Sequence, residues 1–163
     1  MNIKFLTRRN LLTAGFCFIV MTSANVFAQD IPANLQAALF KKIFSFDKTL
    51  SAKGNIDVAV IGDGADIMVS AFKGIGVNAK TENQVPGGVS VVYLMSGGIS
   101  KIQTTAKGIL FISGSQAYVE GGKVSIGLGI EGGKPKIIVN MGKLKAEGQE
   151  LSADLLKIAK VIN

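Results

Sequence analysis

Three short apolar runs decide which architectures are open to this chain. Ile56-Asp57-Val58-Ala59-Val60-Ile61, Val89 to Met95 and Ile109 to Ile112 are nearly continuous in hydrophobic residues rather than alternating. A strand with one wet face alternates polar and apolar residues, whereas a strand apolar on both sides belongs to a sheet covered on both faces, as parallel pairing with crossovers requires. Segments with helical spacing lie between the runs. Ala65 to Lys73 places Met68, Val69 and Phe72 on one side and stops at Gly74. Ile99, Ile102 and Ala106 outline a short helix closed by Gly108. Ahead of them all, Ile31 to Phe46 carries Leu35, Leu39, Ile43 and Phe46 on one helical stripe, with Asp30 placed to cap, Pro32 in the first turn, and Lys41 and Lys42 as its only charges.

The pattern changes after Gly121. Val124, Ile126, Leu128 and Ile130 alternate with Ser125, Gly127 and Gly129, the period of two of a half-buried strand. Glu131-Gly132-Gly133-Lys134 supplies a tight turn, and Lys136 to Val139 returns antiparallel with Pro135 at its margin. Asn140 caps a short helix stopped by Gly148. Ser152 caps a last helix with Asp154 in its first turn and a stripe of Leu155, Ile158, Ala159 and Ile162. The expected fold is α/β: a single three-layer domain with a mostly parallel sheet, a C-terminal antiparallel hairpin and flanking helices.

Met1 to Ala28 has the make-up of an export signal. Basic Lys4, Arg8 and Arg9 precede an apolar stretch from Leu11 to Val20, and Val26-Phe27-Ala28 ends it before Gln29. That stretch is too short for a good span and no later run qualifies, so the expectation is a protein that does not cross the membrane, with one domain over 29–163. Thr7-Arg8-Arg9-Asn10-Leu11-Leu12 resembles the twin-arginine export pattern, and an ordinary secretion signal fits it as well. Both routes lead to the periplasm. Without the signal, 15 basic residues face 11 acidic ones, a net charge of +4 with no dense cluster, which gives no basis for a nucleic-acid partner.

Composition also narrows the chemistry. The chain has no His and no Trp, and its single Cys, Cys17, lies in the signal. Ser-His-Asp and Cys-His nucleophilic systems are thereby excluded from the mature chain, together with ordinary zinc sites and disulfides. No catalytic residue, metal or cofactor is expected.

Gly127-Leu-Gly129-Ile-Glu-Gly132 satisfies G-x-G-x-x-G literally, but its glycines fall within a strand and hairpin rather than at the strand-to-helix turn that presents a helix N-terminus to pyrophosphate. Gly62-Asp63-Gly64 follows a buried strand and opens a helix, at the edge of the sheet where α/β proteins bind ligands. There Asp63 would hold an amine or hydroxyl, or else simply cap the helix. Ser113-Gly114-Ser115 follows the third buried strand in the same way and faces the same edge if the sheet is parallel. Asp47-Lys48, directly after the first helix, forms either a turn or a recognition surface. Leu156 neighbours Leu155 about 100° round the last helix. It is the candidate for a partner or homodimer face, with Leu155 in the core.

The C-terminal third carries a resemblance. Tyr118-Val119-Glu120-Gly121-Gly122, Gly133-Lys134-Pro135-Lys136-Ile137-Ile138-Val139-Asn140, Glu147-Gly148 and Ser152-Ala153-Asp154-Leu155-Leu156-Lys157-Ile158-Ala159 occur in one order that resembles the closing signature of the YfiR family of periplasmic proteins, a domain of unknown function. Leu35–Phe46 and Asp57-Val58-Ala59-Val60-Ile61-Gly62 match its opening elements, and Lys42 to Lys48 resembles one branch of it. The resemblance implies an α/β domain with a mixed sheet and a role without catalysis. A known member binds the periplasmic part of a membrane-bound diguanylate cyclase and holds it inactive, lowering cyclic-di-GMP and biofilm formation. This chain departs from that member in lacking the cysteines of its redox response, and Asp47-Lys48-Thr49 stands where many members carry tryptophan-proline. The reading is therefore a periplasmic regulatory or sensor protein that binds a membrane protein with a periplasmic domain. The alternative is a small-ligand binding module resembling one lobe of a transport-associated binding protein.

Overall fold

The computed structural model describes residues 31–163, so the export signal, Arg8-Arg9 and Asp30 lie outside the described residues. The apolar runs become the centre of a seven-stranded sheet. Its strands are β1 (Asp57–Ile61), β2 (Asn78–Thr81), β3 (Val91–Leu94), β4 (Leu110–Ser113), β5 (Ile126–Glu131), β6 (Lys134–Asn140) and β7 (Lys160–Ile162), in the order β2-β1-β3-β4-β5-β6-β7. Every neighbouring pair is parallel except β5 and β6. That hairpin turns at Gly132 and Gly133, with φ of +57° and +75°, the left-handed values a two-residue turn needs between the paired Glu131 and Lys134. The result is the expected α/β domain, with a mostly parallel sheet, a C-terminal antiparallel hairpin and flanking helices.

One face of the sheet carries α1 (Ala33–Phe46), α2 (Lys48–Ser51) and α3 (Ala65–Gly74). Residues of α5 (Met141–Ala146) and α6 (Ala153–Ile158) join the same cluster through Leu144 and Leu155. Phe40, Phe44, Phe72 and Tyr93 form its aromatic centre, with ring centroids 5.7–6.4 Å apart. The other face is covered more thinly, by α4 (Gln116–Glu120) through Val119 and by two connections that set Val85, Ile99, Ile102 and Ala106 on Ile61, Leu94 and Phe111. Among the described residues no helix is long and apolar enough to cross a membrane.

Several expectations need correction. The core face of α1 is Ala37, Phe40, Ile43 and Phe44, while Leu35 is 43% exposed and Leu39 and Phe46 only flank the cluster. Two large aromatic rings outweigh the regular leucine stripe. The helix expected over Ile99–Ala106 shortens to a single 3-10 turn at Ile99–Lys101, between Gly97-Gly98 and the β-branched pair Thr104-Thr105. The stripe assigned to the last helix ends early: Ile158 is 59% exposed, and Ile162 lies in β7. The edge strands β2 and β7 and the short helices α2 and α4 are too short to show a periodic pattern in the sequence.

Candidate functional site

The residues singled out from sequence fall at two opposite ends of the sheet. At the carboxyl ends of the parallel strands sit Gly62-Asp63-Gly64 after β1 and Ser113-Gly114-Ser115 after β4. They share one edge as expected, but β3 and its Met95–Gly98 turn stand between them. Strand order reverses between β1 and β3, the place where open α/β sheets usually part to admit a ligand. Here the two loops are laced together. Asp63 N donates to Ser96 O at 2.7 Å and Met95 N donates to Ile61 O at 2.9 Å. Gly62 has φ +128°, and a Cβ on it would lie 2.5 Å from Ser96 O. A Cβ on Gly98 would strike Ile61 O. The glycines thus allow backbones to close on one another.

Asp63 does not cap α3. The N-cap is Gly64 in the left-handed region, without a side-chain bond, and the Asp63 carboxylate fills the space that a side chain at Gly97 would need. The second turn is equally committed. Ser113 is buried, and its hydroxyl donates to Leu94 O at 2.7 Å and accepts from Ser115 N at 3.2 Å. Ser115 occupies the N-cap position of α4 without a side-chain bond to it. Tyr93 OH donates to Gln36 Oε1 and accepts from Gly114 N at 3.0 Å, which ties α1 to this turn. Burial pushes the Tyr93 hydroxyl up to about 12, so it remains a donor.

The opposite end is richer in chemistry. Asp47 is wholly buried, so the recognition surface drawn at Asp47-Lys48 narrows to Lys48. Its Oδ1 accepts from Thr49 N at 2.8 Å and Leu50 N at 3.0 Å, capping α2, while Oδ2 has no partner. Burial raises its pKa above the ordinary value, against those two amide bonds. Asp47 bridges antiparallel to Leu151, flanked by Lys48 N to Glu150 O at 2.9 Å and Ser152 N to Phe46 O at 2.8 Å. Lys48 and Glu150 pair on the surface above, with side chains 62% and 67% exposed.

Beneath this strap lies Glu147, also wholly buried. Its Oε2 lies 2.6 Å from Ser125 Oγ and 3.2 Å from Phe111 N, and its Oε1 has no partner. Burial lifts its pKa to about 8, opposed by Ser125, Phe111 N and Lys143 and reinforced by Asp47. Gln149, nearly buried, has neither amide atom bonded. Glu147 stood in the sequence only as part of a family-like signature, without a role. Its place directly after a helix and before Gly148, with Lys143 one turn back, reads in sequence as an ordinary solvated helix end. Leu156 is half-buried and packs against the main cluster, beside the fully buried Leu155.

These features define an α/β domain with the 2-1-3-4-5 strand order of doubly wound, flavodoxin-like sheets, extended by an antiparallel hairpin and a final parallel edge strand. Its usual ligand edge is laced shut, and the unpartnered buried polar atoms among the described residues, those of Asp47, Glu147 and Gln149, lie at the other end. The chain belongs to the YfiR/HmsC-like family, whose model matches residues 34–160. The family is one of periplasmic regulators of cyclic-di-GMP signalling. Comparison with curated proteins gave no match. Among solved structures, the chain is similar to an ABC domain from Streptococcus pneumonia crystallised in complex with L-Trp, with a TM-score of 0.53 and 14% identity over 80% of this chain. It spans 60% of that chain's length, and the likeness is one of fold alone.

Proposed function

We propose that this protein is a non-enzymatic periplasmic regulator that acts by binding the periplasmic part of a membrane protein, and that its target is a membrane-bound diguanylate cyclase which it restrains. The observation that carries this reading is the laced β1–β3 edge. In a ligand-binding relative of this strand order the crevice opens there, whereas here Gly62, Gly98 and the Asp63 N–Ser96 O bond spend that edge on internal packing. Family membership supplies the setting. The exposed Lys48–Glu150 pair, held by the strap beneath it, is the surface assigned to the partner, with Leu156 and the outward Ile158 on the neighbouring helix α6.

Mild crosslinking of the affinity-tagged protein in envelopes is the test. The expected result is recovery of a membrane protein that carries a cyclase domain, together with a rise in cyclic-di-GMP when the gene is deleted. Recovery of no membrane protein, with cyclic-di-GMP unchanged, removes the proposal.

A second reading, a small-ligand module, draws on a cleft of about 280 Å³ beside β2, where Asp57, Lys80 and Glu82 surround an apolar floor at Ala59 and Val89. Its volume is at the small end for ligand sites. A metabolite present at 100 times its dissociation constant would stabilise the protein by about 2.7 kcal/mol in a thermal-shift screen.

A further inference from the structure

The 147–152 segment is fastened to the amino ends of β4 and β5 by Gly108 N to Glu147 O at 2.8 Å and by the Glu147 carboxyl, which meets Ser125 Oγ and Phe111 N. Ser125 Oγ lies 3.0 Å from Phe111 O and 2.6 Å from Glu147 Oε2. A serine hydroxyl has a single proton to give, so it cannot donate to both oxygens at once. A neutral Glu147 allows both side-chain bonds at once: its carboxyl proton goes to Ser125 Oγ, and Ser125 passes its own to Phe111 O, which also accepts from Ser125 N at 3.0 Å. An ionised Glu147 would instead compete for the serine proton and place a charge in a site without water access, with Oε1 unpartnered.

We infer that Glu147 is a proton-dependent latch, whose neutral carboxyl holds the 147–152 segment onto the sheet through Ser125 and whose ionisation releases that segment and its contact with Asp47-Lys48. The charged groups facing the latch oppose one another. Asp47, from the α1–α2 junction, adds negative potential, and Lys143, from α5, is the one cation among the described residues that acts on Glu147 directly. Burial lowers the Lys143 pKa, Glu147 opposes that shift and Lys123 adds to it, and the ammonium is turned to Thr104 and Thr105. Around Asp47 stand Lys53 and Glu150, of opposite sign. Burial places the proton loss of Glu147 at about pH 8, close enough to neutrality for a modest alkaline change to act on it.

The experiment is a titration of the full chain with carboxyl-labelled glutamate, read by carbon NMR. In parallel, amide exchange is followed at Lys48 and Ser152, whose N–H groups fasten the strap. The Glu147 carboxyl is expected to titrate above pH 7. Protection at the two amides, corrected for intrinsic exchange, is expected to drop at least tenfold between pH 7 and pH 9.5. Glu147→Gln, which keeps a donor for Ser125 and cannot ionise, is expected to show a flat profile, and Asp47→Asn to move the Glu147 midpoint to lower pH. A wild-type midpoint below pH 6, or protection that stays constant across the range, overturns the latch. The wild-type titration decides the matter even if neither variant folds.

Discussion

Gly62 shows how much one residue can carry. Its φ of +128° and the nearness of Ser96 O leave no room for a methyl group, whereas Gly88, with φ +80°, has nothing within 4 Å of the same position. Gly62→Ala is expected to cost more than about 2 kcal/mol and Gly88→Ala about 1 kcal/mol, since only the first adds a collision to the backbone strain. Urea melts of the two variants measure the difference. Glu147 sets a pH dependence whose sign is fixed. Its folded pKa of about 8 lies above the ordinary 4.5. The stability tied to its neutral form is therefore fully present below pH 4.5 and is lost as pH rises to about 8, an amount on the order of 5 kcal/mol. Asp47, also raised, acts in the same direction. Melts at pH 5, 7 and 9 are expected to show falling midpoints, and Glu147→Gln to flatten the series. Neither burial is readable in the chain, because an aspartate after a helix is usually solvated and the bridge to Leu151 joins Asp47 to a segment about a hundred residues away.

At the level of elements, α6 separates packing from surface within six residues. Leu155 is fully buried in the main cluster, so Leu155→Ala is expected to cost about 2–5 kcal/mol through lost burial and a cavity. Leu156 was expected from its angle on the helix to point to a partner. It packs partly on the same cluster, and Leu156→Ala is expected to cost an intermediate amount, about 1 kcal/mol. Ile158 is the outward residue, and Ile158→Ala is expected to stay within about 0.5 kcal/mol. Denaturant melts of the three variants rank them, and an Ile158 loss as large as that of Leu155 would show the helix end to be core. The caps were legible because capping is local: Asn140 Oδ1 accepts from Lys143 N at 2.9 Å and Ser152 Oγ from Leu155 N at 3.4 Å, as their positions foretold. The end of α6 was not, because Lys160-Val161-Ile162 continues a helical spacing in sequence and becomes strand only by pairing with β6.

For the whole molecule, the proposed partner surface and the fold's stability are separable. Lys48 and Glu150 are exposed, and a surface pair of this kind contributes about 0–1 kcal/mol. Lys48→Glu is therefore expected to leave the melting midpoint within that range while reducing recovery of the crosslinked membrane partner. Unchanged recovery would move the binding surface elsewhere on the domain. Local patterns along the chain already specify the layered α/β architecture, the parallel core strands and the C-terminal hairpin. Apolar runs, period-two alternation and a Gly-Gly turn are local patterns, and each has one sheet environment that satisfies it. Three outcomes arise only in the folded chain: the β1 and β4 turns are held apart by β3, β2 and β7 close the sheet's edges, and Asp47 and Glu147 share a buried end. Those outcomes depend on strand order and on contacts between distant segments. A carboxylate's burial is set by what the rest of the chain lays over it, which no local pattern around that residue records.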